Sequence, residues 1–242
     1  MTSDSCSMGE IERIKTAYER RALRKKKPSL LMPCELHMHF SREVHTVEML
    51  QYFGISELSD KRILDVSCSR GARLRDFLKL GADPMNLFGI DLVERYIEDA
   101  VYLSPNFHFT LGNAERMPYP SESFDIVQQA TTFSSILSSE MKARVANDIM
   151  RVLKPGGLVL WFDFMYDNPS NKDVKGIGKN EMLRLFPGYR CRVRRLILAP
   201  PIVRRLARYS IIACHCLEKL PILCTHYLAC LQKPANSGHS ES

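Results

Sequence analysis

Polar residues at the ends of three short apolar runs are the positions at which this sequence could bind a ligand. The run RILDV ends in the small-residue turn DVSCSRG at 65–71, the run LFGI ends at Asp91, and Gly112, Asn113 and Ala114 follow a third run. A turn of small residues lets backbone amides approach a ligand, and the helix after it presents a positive N-terminal end. A carboxylate after the next strand can accept both ribose hydroxyls, and an asparagine can bind an adenine edge. This order predicts a site for a nucleoside-bearing cofactor.

Serine stands at positions 67 and 69 of the turn, where glycine is usual in such sites. A serine forced to a positive φ is strained by about 1 kcal/mol or more, although its hydroxyl can bind a ligand or cap the helix. The turn alone could equally be a structural connection between a strand and a helix. The three polar positions together favour a shared crevice at the carboxyl ends of parallel strands.

The elements that position these residues follow from the hydrophobic pattern. Short apolar runs predict strands at 62–66, 87–91, 107–111, 124–129 and 157–164, and helical spacing predicts helices at 72–80, 93–103 and 140–152. This alternation is typical of a doubly wound parallel α/β sheet. Apolar and arginine residues alternate over 189–194, which indicates an edge strand, whereas the apolar run 222–231 indicates a buried one. An amphipathic helical insertion is expected between them at 201–219, and helices at 10–24 and 45–53 precede the sheet.

Five motifs in this order, LDVSCSRG, LFGIDL, GNAERMPYP, FDIVQQ and RVLKPGG with LVLWFDF, resemble the small-molecule type of class I methyltransferases that use S-adenosylmethionine. The resemblance covers about residues 45–165. It implies a Rossmann-like seven-stranded sheet with an antiparallel last strand, formed by the segment CTHYLAC, and S-adenosylmethionine as the cofactor. The residues that it places around that cofactor are Asp65, Ser67 and Gly71 along the methionine part, Asp91 and Leu92 at the ribose, Asn113 and Ala114 at the adenine, and Gln129 beside the sulfonium. The family more often has aspartate at position 113, and an asparagine keeps one acceptor for the adenine amino group.

A hydroxyl acceptor needs a base, and the candidate catalytic residues are Asp163, Tyr166 and His226. Asp163 ends the fifth strand, where a capping role is equally compatible with the sequence, and His226 within an apolar strand is also typical of a core histidine. If the insertion closes over the crevice, a group of arginines could bind a phosphate or carboxylate of the acceptor. These candidate substrate-binding residues are Arg204, Arg205 and Arg208.

The primary functional hypothesis is O-methylation of a small molecule or a saccharide, with an anionic acceptor included. Two alternatives remain open. The chain could methylate RNA or another macromolecule through its basic run at 20–27, or it could be a non-catalytic binding protein with a degenerate turn. We do not expect nucleic acid as the partner, because aromatic residues are not interleaved with the basic run.

Composition predicts one globular domain with appendages. The 242 residues divide into a basic helical cap at 1–45, a cofactor-binding domain at 46–233 with its insertion at about 201–220, and a disordered tail at 234–242. The net charge of +7 fits an anionic partner or simply solvated basic faces. No apolar run is long enough to span a bilayer and no signal peptide is evident, so a cytoplasmic location is expected. The eight cysteines are expected to be reduced, and their irregular spacing with the histidines predicts no metal site.

Overall fold

The computed structural model describes residues 3–22, 29–167 and 171–235; of residues 3–7 and 22 it describes the backbone alone. The described residues form seven strands and nine α-helices. The strands are β1 Ile63–Val66, β2 Leu87–Asp91, β3 His108–Leu111, β4 Phe124–Ala130, β5 Leu153–Phe164, β6 Arg190–Leu198 and β7 Cys224–Gln232. The helices are α1 Ser3–Ala22, α2 Pro33–Tyr52, α3 Ala72–Lys79, α4 Glu94–Leu103, α5 Thr132–Ser135, α6 Ser139–Val152, α7 Lys179–Leu185, α8 Pro200–Leu206 and α9 Ile211–Glu218.

All seven strands belong to one sheet in the order β3-β2-β1-β4-β5-β7-β6. The first five are parallel, β7 runs antiparallel to β5, and β6 runs antiparallel to β7. The predicted doubly wound α/β sheet with an antiparallel last strand is therefore confirmed. The exposed arginines of β6 lie at the sheet edge, as their alternation with apolar residues predicted, and β7 is buried between its neighbours.

The hydrophobic core has two halves, one on each face of the sheet, because side chains alternate between faces along a strand. Trp161 of β5 belongs to the half that packs against α1, α5, α6 and α7, which we call the α1 face. The neighbouring Phe162 belongs to the half under α2 and α3, which we call the α2 face. Trp161 is fully buried, with its ring centroid 4.3 Å from that of Phe133 and 6.1 Å from that of Phe186.

The segments outside the parallel sheet differ most from the sequence-based expectation. Helix α2 begins at Pro33 and not near residue 45, because proline is favoured in the first turn of a helix and Glu35 complements its positive end. The expected boundary between residues 45 and 46 thus falls inside α2. The single helix expected at 201–219 is divided into α8 and α9, since the hydroxyl of Ser210 accepts the Ala213 amide at 3.1 Å and caps a new helix.

Two short helices, α5 and α7, were not predicted. The expected tail at 234–242 lies almost wholly outside the described residues, which end at 235. Within the described ranges, none of the helices combines the length and apolar character required to cross a bilayer.

Candidate active site

The turn after β1 holds three residues in the left-handed region of backbone conformation. Ser67 has φ 62°, Ser69 has φ 51° and Gly71 has φ 69°. A Cβ at position 71 would lie 2.8 Å from the ring of Phe109, so the glycine is also required by space. The two serines therefore adopt a conformation that costs an L-residue roughly 1–2 kcal/mol each. The turn keeps the backbone path of a glycine-rich loop despite its serines.

Asp91 at the end of β2 is buried beside this turn. One carboxylate oxygen accepts the Ser69 amide at 2.8 Å, and the other accepts the Val93 amide at 2.9 Å. Burial raises the pKa of Asp91, although these two hydrogen bonds act in the opposite direction. A carboxylate has about four acceptor sites, so the two amides leave capacity for hydroxyl donors. The amides fix the carboxylate at the crevice edge.

The loop after β3 places Asn113 and Ala114 next to Asp91. The Gly112 amide donates to the Asp91 carbonyl at 2.9 Å and holds the two strand ends together. The Asn113 side-chain oxygen accepts the Glu115 amide at 3.0 Å, and its nitrogen donates to the Glu115 carboxylate at 2.9 Å. The Asn113 amide is thus oriented by its own loop.

A buried polar group lies on the α1 face at the ends of β4 and β5. Gln129 is fully buried; its oxygen accepts the Thr132 amide at 3.1 Å, and its side chain adjoins the Asp163 carboxyl, whose pKa it lowers. Asp163 is also fully buried and accepts the Phe164 amide at 2.9 Å and the Ser134 amide at 3.2 Å. Burial raises the pKa of Asp163 to about 6. This carboxyl can therefore exchange a proton near neutral pH.

Helix α1 covers the crevice. A cavity of about 30 Å³ remains beneath it, and its walls combine predicted cofactor residues with Ile14 and Tyr18 of α1. The Tyr18 hydroxyl lies 2.9 Å from the Ser135 hydroxyl, and the Arg13 guanidinium donates to the Ser135 carbonyl at 2.6 Å. The predicted cofactor residues in these walls are Ser67, Asp91, Leu92, Asn113 and Ala114. The structure thus brings these five together around one cavity.

An open cleft of about 590 Å³ lies outside this cavity, between α1 and α4. Lys15 and Glu19 line it from α1, and Leu92 and Asn113 line it from the strand ends. Leu92 and Asn113 contribute to the walls of both the cleft and the cavity. The cleft is therefore a route by which solvent reaches the predicted ribose and adenine positions.

A second polar group lies on the α2 face, where Asp65 of β1 is buried near Arg73 of α3. Asp65 makes no close hydrogen bond among the described residues, and burial raises its pKa to about 7 although the charge of Arg73 and the nearby Gln128 side chain act in the opposite direction. Burial, reinforced by the charge of Arg42, lowers the pKa of Arg73 to about 9. Both guanidinium groups lie over the ring of Phe162, at 5.8 Å for Arg42 and 5.3 Å for Arg73.

The three candidate catalytic residues are not brought together. Asp163 and His226 point to opposite faces, because Asp163 is opposite Tyr227 in the β5–β7 pairing and His226 is opposite Phe164. His226 is stacked on Phe162, and burial, with Arg73 and Arg42, lowers its pKa to about 4. Tyr166 is 57% exposed on the loop after β5.

Of the candidate substrate arginines, Arg204 and Arg205 lie on the exposed side of α8, and Arg208 is exposed in the turn after it. Among the contacts of residues 29–167 and 171–235, none joins Arg204, Arg205 or Arg208 to the crevice. Buried positive charge near the strand ends is supplied instead by Arg42 and Arg73 on the α2 face, which were not predicted. The position of Arg73, just after Gly71 at the start of a helix, could have indicated it.

The buried polar groups fit S-adenosylmethionine. Asp65, a buried carboxylate with no close hydrogen-bond partner among the described residues, suits a ligand that carries positive charge. A cation could be held elsewhere by His39, Glu43 and Asp76, whose ligand atoms lie within 4.8 Å of one another. The ammonium of Lys79 contacts both carboxylates there, at 2.6 Å and 3.1 Å, and already neutralises them.

Residues 63–157 match the family model of a methyltransferase domain. The chain is 30% identical over 151 residues to phthiotriol/phenolphthiotriol dimycocerosates methyltransferase 1 of Mycobacterium ulcerans, covering 58% of this chain and 51% of that protein. It is 32% identical over 125 residues to the tRNA N(3)-cytidine methyltransferase METTL2 of Gallus gallus, covering 48% and 34%. The chain spans about half, or less, of the length of these relatives.

Among solved structures, a SAM-dependent methyltransferase of Thermotoga maritima superimposes with a TM-score of 0.60 at 18% identity, over 93% of this chain and 99% of that one. This likeness extends the shared fold beyond the matched segment to nearly the whole chain. The order of the strands, the turn after β1 and the family match agree. Residues 63–157 therefore resemble a methyltransferase domain, and the chain has the fold of the class I S-adenosylmethionine-dependent methyltransferases.

Proposed function

We propose that this chain transfers a methyl group from S-adenosylmethionine to a hydroxyl of a small-molecule or saccharide acceptor. The observation that carries the proposal is Asp163, a fully buried carboxyl at the carboxyl end of β5 whose pKa is raised to about 6. A general base is most effective when its pKa lies near the working pH. The match of residues 63–157 to a methyltransferase domain supports the reaction class.

In this proposal the cofactor is held by the residues that converge at the strand ends. When bound, it supplies an electrophilic methyl group on a sulfonium, which an acceptor attacks in line. Asp65 neutralises positive charge, the turn at 67–71 approaches with its backbone, and Gln129 lies beside the sulfonium. Asp91 and Leu92 contact the ribose, and the loop at 113–114 contacts the adenine.

Asp163 is the proposed base. The Phe164 and Ser134 amides fix its orientation, and burial keeps water from competing for its proton. His226 reaches the opposite face with a pKa near 4, so at neutral pH its ring is uncharged and can orient the acceptor without taking a proton. Tyr166, exposed after β5, is proposed to contact the acceptor from the loop. One acceptor reaches all three only beyond the strand ends, where the two faces meet.

Substitution of Asp163 by asparagine tests the proposed base. We expect Asp163→Asn to lower kcat by roughly 10²–10⁴-fold, the usual contribution of a general base, with an unchanged dissociation constant for S-adenosylmethionine. Asp125→Asn is the matched control, because Asp125 lies at the other end of the sheet, where it pairs with Lys154. A kcat that is retained in Asp163→Asn on every acceptor tested would remove Asp163 from the chemistry.

A tRNA or another RNA is the second candidate acceptor, because one relative carries the name of a tRNA methyltransferase. The expectation against nucleic acid has no support from these relatives. RNA methylation should weaken steeply with salt because phosphate contacts release counterions, whereas transfer to an uncharged small acceptor should not. Transfer of a radioactive methyl group to total tRNA at low and high salt distinguishes the two.

A non-catalytic role is the third candidate and rests on the serines of the turn. Their left-handed backbone is compatible with either role. Absence of cofactor binding by the wild-type protein and by Ser67→Gly/Ser69→Gly at millimolar cofactor would favour the non-catalytic role. Binding by both would exclude the serines as the cause of any inactivity.

A further inference from the structure

An apolar recess of about 260 Å³ lies between α2 and α9, away from the crevice. Its main apolar walls are Phe40 and Val44 of α2 and Ile211 and Ile212 of α9. All four side chains are exposed, and Ile212 is 78% exposed. Exposure of contiguous large apolar side chains is costly in water and marks an interaction surface.

A basic groove of about 690 Å³ adjoins the recess. Arg194 and Arg195 at the sheet edge and Lys219 after α9 provide its positive charge. Val44 and His215 line both the groove and the recess, so the two are continuous.

The acidic side chains that line the groove already have partners within the protein. Glu48 is 2.8 Å from the His45 ring. Glu218 is buried and accepts hydrogen bonds from the Ser41 hydroxyl and the Ile197 amide. The charge that this groove offers to a partner is therefore mainly positive.

The rest of the insertion also exposes both apolar and basic side chains. Its exposed basic residues are Arg204, Arg205, Arg208 and Lys219, and its sole acidic residue over 199–223 is the buried Glu218. Ile222 next to α9 is 84% exposed, and Tyr209 between the two helices is 75% exposed. We call the recess, the groove and the exposed side of 200–223 the insertion face.

Exposed apolar side chains interleaved with basic ones, without exposed acids on the insertion, are the pattern of a surface that lies at a membrane interface. Basic residues near an anionic leaflet each contribute about 1 kcal/mol, and apolar side chains add to this when they enter the interface. We propose that the insertion face binds the surface of an anionic phospholipid membrane. Lipid phosphates contact the groove, and Ile211, Ile212 and Ile222 enter the interface.

This proposal is independent of methyl transfer, because it concerns a different surface of the chain. Charge complementarity selects an anionic membrane over a neutral one. Apart from the rings of Phe40 and Tyr209, the exposed apolar side chains of the face are aliphatic, and such side chains suit a lipid interface better than stacking on bases.

Flotation of the full chain with lipid vesicles tests the proposal. We expect the wild type to bind vesicles of equimolar phosphatidylcholine and phosphatidylglycerol but not vesicles of phosphatidylcholine alone. Arg194→Ala/Arg195→Ala should weaken binding about 30-fold, from about 1 kcal/mol for each charge. Ile212→Ser/Ile222→Ser should weaken it at least about tenfold, because each side chain loses its apolar contact.

Matched controls lie elsewhere on the chain. Tyr102→Ser removes an 87% exposed side chain from α4, and Arg184→Ala removes an exposed arginine from α7. Both should bind like the wild type. Equal binding by all variants, no binding of the wild type to anionic vesicles, or retention of RNA in place of vesicles would each overturn the proposal. Circular dichroism of each variant separates lost binding from lost folding.

Discussion

We expect that helix α1 moves when the crevice accepts a cofactor, and Glu10 provides a way to test this. The cavity beneath α1 is about 30 Å³, whereas pockets for ligands of this class measure about 300–1,000 Å³. One oxygen of Glu10 accepts the Leu137 amide at 2.5 Å and the Ser138 amide at 3.4 Å. The same carboxylate pairs with Arg13 at 2.8 Å. Glu10 thus fastens α1 to the segment after α5.

Substitution Glu10→Ala removes these contacts and favours the open position of α1. Hydrogen bonds that involve a charged group contribute about 1.5–3 kcal/mol, and we take about 2 kcal/mol for the partly exposed set. If binding requires the open form, the apparent affinity rises by the same factor as the open population. About 2 kcal/mol corresponds to a roughly 30-fold tighter apparent dissociation constant for S-adenosylhomocysteine.

Isothermal titration calorimetry of the wild type and Glu10→Ala measures this change. Glu12→Ala is the matched control, because Glu12 is exposed on the same helix, and its affinity should equal that of the wild type. Unchanged binding by Glu10→Ala would refute the claim that α1 hinders cofactor binding. Weaker binding would show that α1 forms part of the cofactor site.

Three further predictions concern the turn and the two buried titratable groups. Ser67→Gly and Ser69→Gly should each raise the free energy of unfolding by about 1 kcal/mol, because glycine tolerates the left-handed backbone. Denaturant unfolding measures this change. A loss of stability would contradict the claim that the two serines are strained. Burial raises the pKa of Asp65 to about 7. A cationic cofactor should therefore displace the proton of Asp65, and its affinity should fall progressively as the pH falls below about 7. Asp65→Asn should remove this pH dependence, as measured by calorimetry. The pKa of His226 is about 4 in the folded protein, below its unfolded value. The free energy of unfolding should therefore fall by about 2 kcal/mol between about pH 7 and pH 5. In urea unfolding, His226→Phe should lose less stability over the same interval.

The parallel sheet could be predicted because its local patterns agree with its long-range packing. Each of the first five strands is a short apolar run bounded by polar turns, and its place in the sheet follows from the alternation with helices. The polar residues at the strand ends could be predicted for the same reason, since parallel strands bring their carboxyl ends to one edge. Ser67, Asp91 and Asn113 consequently line one cavity.

The face to which each acceptor candidate points could not be predicted. Asp163 and His226 looked equivalent in sequence, but their faces depend on the register of β5 with β7, which a single residue shift would reverse. Arg73 was missed because its burial depends on the position of α2, and α2 begins well before the predicted start. The placement of Arg204, Arg205 and Arg208 away from the crevice could not be predicted either, because the expected single helix is divided into α8 and α9.

Trp161 gives the crevice a built-in optical reporter. It is the sole tryptophan of the sequence, fully buried on the face that α1 covers, and two residues before Asp163. All tryptophan fluorescence therefore originates in one rigid position, close to Phe133 at the start of α5, whose far end is joined to α1 through Ser135. Movement of α1 should change the polarity sensed by this single indole, so emission wavelength and decay time can follow opening of the helix in real time without a label.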